Sequence, residues 1–277
     1  MKRKKRLVIS FIVLAVMVCF FYVENNWLMV SFYAYETNEL PEAFDGYRIV
    51  QISDLHNASF GKENEKLLAK IEELAPDLVV ITGDMVDSNH TDIEVAVDFA
   101  RQVAAEYTVY YVTGNHENWL EESERRELVD GLYEAGVICL EDEFVEISKG
   151  DSSITLVGLC DESLSGPTLN KVLYDSESAG ASGLQILLAH EPQYIENYSK
   201  CGVDLVLTGH AHGGQFRLPF VAGGLVAPDQ GFFPKYTEGV HEVDDTTMII
   251  SRGLGNSIIP VRLFNRPEIV CVELGRK

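Results

Sequence analysis

Cysteine is scarce in this chain of 277 residues: there are five, spread from Cys19 to Cys271, and no C-x-x-C pair. An odd number of widely spaced cysteines argues against a disulfide framework and against a thiolate zinc site. We interpret Cys139, Cys160, Cys201 and Cys271 as small core side chains. Internal repeats and low-complexity stretches are missing too, which argues against a repeat architecture.

Basic residues are scarce outside the first six positions. The opening MKRKKR holds five of the 22 lysines and arginines, which leaves 17 in the rest of the chain against 43 aspartates and glutamates. Affinity for nucleic acid comes largely from lysine and arginine side chains that neutralise phosphates. We therefore expect no nucleic-acid partner for this acidic body.

One long apolar run follows the basic residues, from Leu7 to Val23, without a charge. It is at the short limit for a membrane-spanning helix and longer than the core of a typical signal peptide. No A-x-A cleavage site follows, so the sequence predicts an uncleaved single-pass anchor in the cell membrane, with Tyr22 and Trp27 at the interface. Because lysine and arginine remain cytoplasmic and the next segment is acidic, we expect an extracytoplasmic body.

Three segments are predicted along the chain: a basic N-terminus with the anchor over 1–23, a connector over 24–45, and one domain over 46–277. Within that domain, hydrophobic spacing alternates between strand and helix. Strands are predicted at 47–53, 77–82 and 107–113, and helices at 62–75 and 91–106. Thr91 and Glu94 predict a capping box on the second helix. The order predicts a parallel sheet with crossover helices, and the strand-rich second half predicts a second packed sheet.

Polar side chains follow apolar runs at five places in this domain. Three loops, SDLH, GDMVD and GNHE, follow the first three predicted strands, and a lone histidine and GHAH follow two later ones. Ligands of open α/β sheets bind beyond the carboxyl ends of the strands. These loops bring to that edge the side chains of Asp54, His56, Asp84, Asp87, Asn115, His116, His190, His210 and His212.

Two of the loops hold donor side chains two residues apart, Asp54 with His56 and His210 with His212. Residues i and i+2 of an extended segment face the same side, so each pair is predicted to offer two ligands to one place. Carboxylate, imidazole and amide donors favour Mn, Fe, Co, Ni or Zn over Ca. Because the candidates exceed the needs of one ion, we predict two divalent ions about 3.5–4 Å apart that share one carboxylate.

The five loops together resemble the five-block signature of the calcineurin-like metallophosphoesterases. The tail GHAHGGQFRLPF…QGFFPKYTEG…SRGLGNSIIPVRLFNRPEI resembles the bacterial membrane-associated phosphodiesterase branch of that superfamily. The resemblance runs from about residue 45 to the C-terminus. It implies a four-layer α/β/β/α sandwich of two mixed sheets, here with an added N-terminal transmembrane helix, and metal-dependent hydrolysis of a phosphoester.

By matching position, the resemblance implies specific roles for the loop residues. One ion would take Asp54, His56, Asp84 and His212, and the other would take Asp84, Asn115, His190 and His210. His116 matches the residue beside the scissile phosphate, and Asp87 matches an acid that orients that histidine. A water shared by two cations would ionise near neutral pH and attack phosphorus, while His116 gives a hydrogen bond or a proton.

The membrane tether favours an envelope substrate: a phospholipid, a lipid-linked pyrophosphate or another phosphoester. The apolar, Gly- and Pro-rich stretch 216–234 fits either a lipid-facing lip beside the metals or a packed loop. A UDP-2,3-diacylglucosamine pyrophosphohydrolase of lipid A synthesis is the alternative enzyme, but its nucleotide substrate is cytoplasmic. A metal-binding module without turnover is a third hypothesis, and the intact His116 argues against it. The native metal, the preference for diester or monoester and the oligomeric state are left open.

Overall fold

A computed structural model describes residues 2–164, 166–181, 183–219, 223–256 and 259–277. The α-helices are α1 Lys2–Asn26, α2 Glu65–Leu74, α3 Ile93–Ala104, α4 Asn115–Asn118, α5 Glu122–Glu134, α6 Gly166–Ser178 and α7 Ile195–Lys200. The strands are β1 Met29–Thr37, β2 Arg48–Ile52, β3 Leu78–Thr82, β4 Val109–Val112, β5 Ile138–Cys139, β6 Glu143–Lys149, β7 Ser152–Gly158, β8 Gln185–Leu188, β9 Leu205–Thr208, β10 Val226–Ala227, β11 Gly231–Phe232, β12 Gly239–Val243, β13 Thr246–Ile250 and β14 Glu268–Arg276.

The strands form two large mixed sheets, as predicted. The first has the order β1-β14-β2-β3-β4-β5 and the second the order β12-β13-β9-β8-β7-β6. In the first sheet β2, β3 and β4 run parallel, and β14 runs antiparallel to β2. In the second sheet β7, β8, β9 and β13 run parallel, and the β6–β7 and β12–β13 pairs are antiparallel. The parallel strands of each sheet bring their carboxyl ends to one edge.

Three apolar clusters separate four layers, which confirms the α/β/β/α sandwich. In β3, Val79 and Ile81 pack against the helices of the first half, whereas Leu78 and Val80 face the other sheet. The same alternation recurs in β9, where Val206 belongs to the cluster beneath α6 and α7. Both faces of the central strands are therefore apolar, which is why their sequences read as continuous hydrophobic runs.

Helix α1 has 25 residues, which is about 37 Å at the usual rise and enough to cross a bilayer. The connector predicted over 24–45 contains β1, which pairs in parallel with β14 along its whole length. Side chains of β1 alternate between half-buried and exposed from Phe32 to Thr37, as in an edge strand with one face on the core. This alternation is what a purely compositional description of the connector overlooks.

The start of α3 differs from the prediction. The helix begins at Ile93, and its N-cap is Asp92, whose side chain accepts a hydrogen bond from Val95 N at 3.4 Å. The capping box of Thr91 with Glu94 is therefore wrong by one residue. Aspartate and threonine are both good N-caps, and the cap is the residue directly before the first helical residue.

Candidate metal centre

The five polar loops meet at one edge of the sandwich. Those after β2, β3 and β4 come from the first sheet, and those after β8 and β9 come from the second. The sheets are tied together just below this edge by Gln51, whose amide donates to Thr82 Oγ1 at 2.9 Å and to Thr208 O at 2.8 Å. Both partners are the last residues of their strands, so this amide fixes the position of the loops of one sheet relative to the loops of the other.

A first group of donors forms around the β2 and β9 loops. Asp54, His56, Asp84 and His212 are buried, and one ligand atom of each lies within 4.8 Å of the others. The Nε2 atoms of His56 and His212 are 3.1 Å apart. His56 Nε2 is 3.5 Å from Asp84 Oδ2, and His212 Nε2 is 3.5 Å from Asp54 Oδ1. Carboxylate and imidazole donors thus converge on one place.

A second group lies on the other side of Asp84. His190 Nε2 is 3.2 Å from Asp84 Oδ2 and 3.1 Å from Asn115 Oδ1. His210 Nδ1 is 2.8 Å from the same amide oxygen. One ligand atom each of Asp84, His190 and His210 lies within 4.8 Å of the other two. The Asp84 carboxylate belongs to both groups, so the other six side chains proposed as ligands are gathered on its two sides.

The proton positions test whether these donors fit a cation. His190 Nδ1 lies 2.7 Å from Thr82 O, and a carbonyl only accepts, so Nδ1 carries the hydrogen. The Nε2 lone pair of neutral His190 then faces two acceptors, Asp84 Oδ2 and Asn115 Oδ1, which repel it unless a proton or a metal ion lies between them. Asp54 Oδ2 is also buried and lacks a hydrogen-bond donor within the described part of the chain. These unmatched lone pairs fit divalent ions.

Electrostatics distinguishes the two sides of the centre. Burial lowers the pKa of His56, and the imidazole of His116 lowers it further. Burial lowers the pKa of His212 well below its ordinary value, and the imidazole of His56 lowers it further. Both rings are therefore neutral at pH 7, with lone pairs available. Burial also disfavours charge on His190, but the Asp84 carboxylate outweighs it and raises the pKa of His190 well above 6.5. Against its own burial, Asp84 has a pKa well below 3.8 because of His190.

The backbone at these loops is strained in a consistent way. Asp54, His56, Asp84, His210 and His212 all have positive φ, between 44° and 65°. Left-handed backbone costs a non-glycine residue about 1–2 kcal/mol, and such strain clusters at functional sites. The prediction that His210 and His212 offer two ligands to one place from an extended segment is therefore wrong. The left-handed turn directs each imidazole to a different donor group.

At two positions in these turns the neighbouring atoms are too close for any residue with a side chain. Gly83 has φ +85°, and a Cβ there would lie 2.6 Å from His190 Nδ1. A Cβ at Gly209 would overlap Ser53 Oγ and Asp54 Oδ2. The loops of the two sheets can therefore meet only because these side chains are absent.

His116 lies beside the first donor group. Its ring centroid is 4.5 Å from that of His56, and its backbone N–H donates to Asp84 Oδ1 at 2.9 Å. The backbone N–H of Ser88 donates to His116 Nδ1 at 3.1 Å, so neutral His116 carries its hydrogen on Nε2. Asp87 Oδ1, which the resemblance assigns to orienting this ring, is 3.9 Å from Nδ1 and outside hydrogen-bond range. In this structure Ser88 takes that place.

Glu117 holds two of the loops together and had no role in the sequence-based prediction. Its Oε2 accepts from Asp84 N at 2.8 Å and Gly114 N at 2.7 Å, and its Oε1 accepts from Met85 N at 2.8 Å and Val86 N at 3.3 Å. Burial, and then the Asp84 carboxylate, raise the pKa of Glu117 to about 7, against the N–H groups that lower it. The last letter of GNHE was the available signal for this carboxylate.

Three further residues contact the histidines of the centre and hold them in place. Asp229 Oδ2 lies 3.0 Å from His210 Nε2, which puts the hydrogen on Nε2 and leaves the Nδ1 lone pair for a ligand bond. Asn265 Nδ2 donates to His212 O at 2.7 Å. The fully buried Arg262 donates to Arg252 O at 2.8 Å and has its Nη2 3.4 Å from His212 Nδ1. Burial lowers the pKa of Arg262 to about 10. None of the three follows a strand that the sequence predicted, so the strand-end rule did not find them.

The comparisons with known proteins point to one family. The family model described as calcineurin-like phosphoesterase matches residues 47–214, which is more than half of the chain and contains all five loops. The chain is 30% identical over 259 residues to the uncharacterised metallophosphoesterase YkuE of Bacillus subtilis, covering 91% of this chain and 87% of that protein. It is 32% identical over 276 residues to the uncharacterised metallophosphoesterase Cj0846 of Campylobacter jejuni, covering 97% and 70%.

Relatives with a membrane segment are found as well. A transmembrane protein with metallophosphoesterase domain from Danio rerio is 28% identical over 251 residues, which is 85% of this chain and 55% of that protein. Among solved structures, TT1561 of Thermus thermophilus matches 75% of this chain and 90% of its own, at 12% identity and a TM-score of 0.49.

Proposed function

The chain belongs to the calcineurin-like phosphoesterase family and is a metal-dependent phosphoester hydrolase, and we propose that it is a membrane-anchored phosphodiesterase with a dinuclear metal centre. The observation that carries the proposal is the position of Asp84 Oδ2, which is 3.5 Å from His56 Nε2 on one side and 3.2 Å from His190 Nε2 on the other. A carboxylate between two donor groups is suited to bridging two ions.

The donor groups divide the ligands between the two ions. One ion is assigned to Asp54, His56, Asp84 and His212, and the other to Asp84, Asn115, His190 and His210. Divalent ions bound there would lower the pKa of a water molecule and offset the charge on phosphoryl oxygens. With nitrogen and oxygen donors and no thiolate, the site suits Mn, Fe, Zn, Co or Ni.

The protein's own residues hold the reacting groups in place. His116 keeps its Nδ1 occupied by the Ser88 N–H, so its Nε2–H is the face that can donate to a phosphoryl oxygen or to the leaving oxygen. The backbone of His116 is held as well, since its N–H donates to Asp84 Oδ1. Asp87, whose Oδ1 is 3.9 Å from Nδ1, places a carboxylate beside this ring.

The apolar helix α1 and the transmembrane relatives support membrane association. We assign residues 1–23 to a single-pass anchor with its basic end in the cytoplasm, and residues 46–277 to an extracytoplasmic catalytic domain. The tether keeps the centre close to the bilayer, because only Trp27 and Leu28 lie between α1 and β1. A phospholipid or another envelope phosphoester is therefore the proposed substrate.

The test uses the full chain in detergent micelles. Hydrolysis of bis-p-nitrophenyl phosphate, p-nitrophenyl phosphate and a micellar phospholipid is measured with Mn²⁺, after chelation, and after Mn²⁺ is restored. We expect activity that chelation removes and Mn²⁺ restores, with the diester preferred to the monoester and the phospholipid cleaved. Monoester preference would contradict the diesterase assignment, and inactivity on lipid with full activity on the soluble diester would contradict the lipid substrate.

A further inference from the structure

The membrane end of α1 is fixed directly to the loop that supports the metal centre. Asn25 Oδ1 accepts a hydrogen bond from Arg262 N at 2.8 Å. The buried Glu24 accepts from Asn265 N at 3.1 Å. Because Arg262 and Asn265 are also in contact with His212, the orientation of the anchor fixes the orientation of the catalytic edge.

One side chain of that loop reaches the apolar part of the anchor. The ring of Phe264 packs edge-on against Phe20 with centroids 5.4 Å apart. Phe20 is six residues before the end of α1 at Asn26, which corresponds to about 9 Å along the helix axis. Phe264 is 46% exposed and has a positive φ of 51°. An exposed ring at this depth lies among acyl chains once α1 spans a bilayer.

The end of α1 also has the chemistry of a membrane interface. Tyr22 and Trp27 are more than 60% exposed and line a cavity of about 540 Å³ with Lys66 and Lys70 of α2. Aromatic side chains are enriched at the headgroup level, and lysine ammonium groups bind lipid phosphates. With α1 across a bilayer these residues would mark the headgroup level, and Phe264 packs on Phe20, which precedes Tyr22 in the apolar run.

A hydrogen-bonded layer continues from this loop to a second exposed apolar element. Arg217 N donates to Leu263 O at 2.9 Å, Leu225 N donates to Phe216 O at 2.8 Å, and Phe233 N donates to Leu225 O at 3.0 Å. Three such steps span about 14 Å at the usual strand spacing. Residues 220–222 of the apolar stretch lie outside the described residues.

The far edge of this layer ends in two exposed aromatic rings. Phe232 is 82% exposed and Phe233 is 76% exposed, and Leu218, which follows Arg217 of the same layer, is 44% exposed. Several exposed apolar side chains on one layer mark a contact surface. The same hairpin, β10–β11, holds Asp229 in its turn, and Asp229 binds His210.

We propose that Leu218, Phe232, Phe233 and Phe264 form a bilayer-contact surface that enters the leaflet where α1 ends. The occupant is the lipid bilayer, because the surface continues from the anchor through Phe20–Phe264 and the bilayer is present there whenever α1 spans it. The contact brings the Asp229 turn, and with it His210, to the membrane surface. The proposal needs no turnover and is therefore independent of the hydrolytic function.

The experiment places the full chain in phospholipid vesicles with and without brominated acyl chains. Phe232→Trp and, separately, Phe233→Trp add an indole on the proposed surface, and the emission of Trp27 and Trp119 is subtracted with the parent protein. Tyr133→Trp on α5 is the matched control, since Tyr133 is 77% exposed and outside this layer. Thermal melting verifies that each variant is folded, and either surface variant suffices.

We expect the indole at 232 or 233 to emit at a shorter wavelength than an indole in water, and to lose most of its emission to brominated lipid. The indole at 133 should keep a water-like spectrum and its full emission. Equal emission with and without bromine at both surface positions would overturn the proposal. Equal quenching at 133 would overturn it too, since contact would then not be confined to this surface.

Discussion

Replacing Glu117 with glutamine should destabilise the domain well beyond the loss of one surface charge. The carboxylate accepts from four backbone N–H groups, two on each oxygen. Glutamine keeps one oxygen and turns the other into a donor, so two buried N–H groups face an NH₂ group. At about 1–3 kcal/mol for each unsatisfied group, Glu117→Gln costs about 2–6 kcal/mol. At roughly 2–4 °C per kcal/mol for a domain of this size, the melting temperature falls by about 10 °C.

The assay is thermal melting of the full chain in detergent at pH 8, above the raised pKa of about 7, where Glu117 is ionised. Glu122→Gln is the matched control, because Glu122 is exposed and its ion pair is with Arg126 at 3.0 Å within α5. Such a pair contributes about 0.3–0.5 kcal/mol, so the control should melt close to the parent protein. If Glu117→Gln melted as the control does, the four N–H groups would not depend on this carboxylate and the reasoning would fail.

Three further outcomes are expected. His116→Ala should keep the metal content and lose about 10²–10⁴-fold in kcat, since the variant lacks only the donor; metal loss on analysis would make His116 a ligand instead. Metal binding at pH 7 should release a proton from His190, because its pKa is raised. The metal affinity should therefore fall about tenfold per pH unit as the pH drops below that pKa. Calorimetry in buffers of different ionisation enthalpy measures the proton release, and a pH-independent affinity would contradict it. Asn25→Ala should weaken metal binding and lower stability by about 1 kcal/mol, whereas Asn26→Ala, which removes an amide that donates to Tyr22 O within α1, should do neither. Equal effects would remove the link from anchor to centre.

The strand ends were the most predictable part of this protein. Continuous apolar runs such as 78–82 are buried on both faces, so the residue after each run had to lie at the sheet edge. Asp84 and His190 could be placed together on that ground although they are 106 positions apart. The rule depends only on burial and chain direction, which are local properties of the sequence.

Other parts depend on long-range geometry that no local pattern encodes. The edge strand β1 lies in a segment of mixed polarity, because only one of its faces is buried. Asp229 and Arg262 act on histidines 19 and 50 positions away, through a hairpin and a loop whose sequences resemble ordinary turns. The divergence of His210 and His212 follows from left-handed backbone at both residues, which costs a non-glycine residue energy and which the sequence pattern does not indicate.

Metal stoichiometry in the Asp84→Asn variant tests the central claim most directly. Elemental analysis of the full chain is compared with Asp84→Asn and with Asp98→Asn, an exposed aspartate paired with Arg101 on α3. The bridging role predicts two divalent ions in the parent and in Asp98→Asn, and the loss of at least one ion from Asp84→Asn. Full metal content in Asp84→Asn would contradict a centre in which this carboxylate joins the two ions.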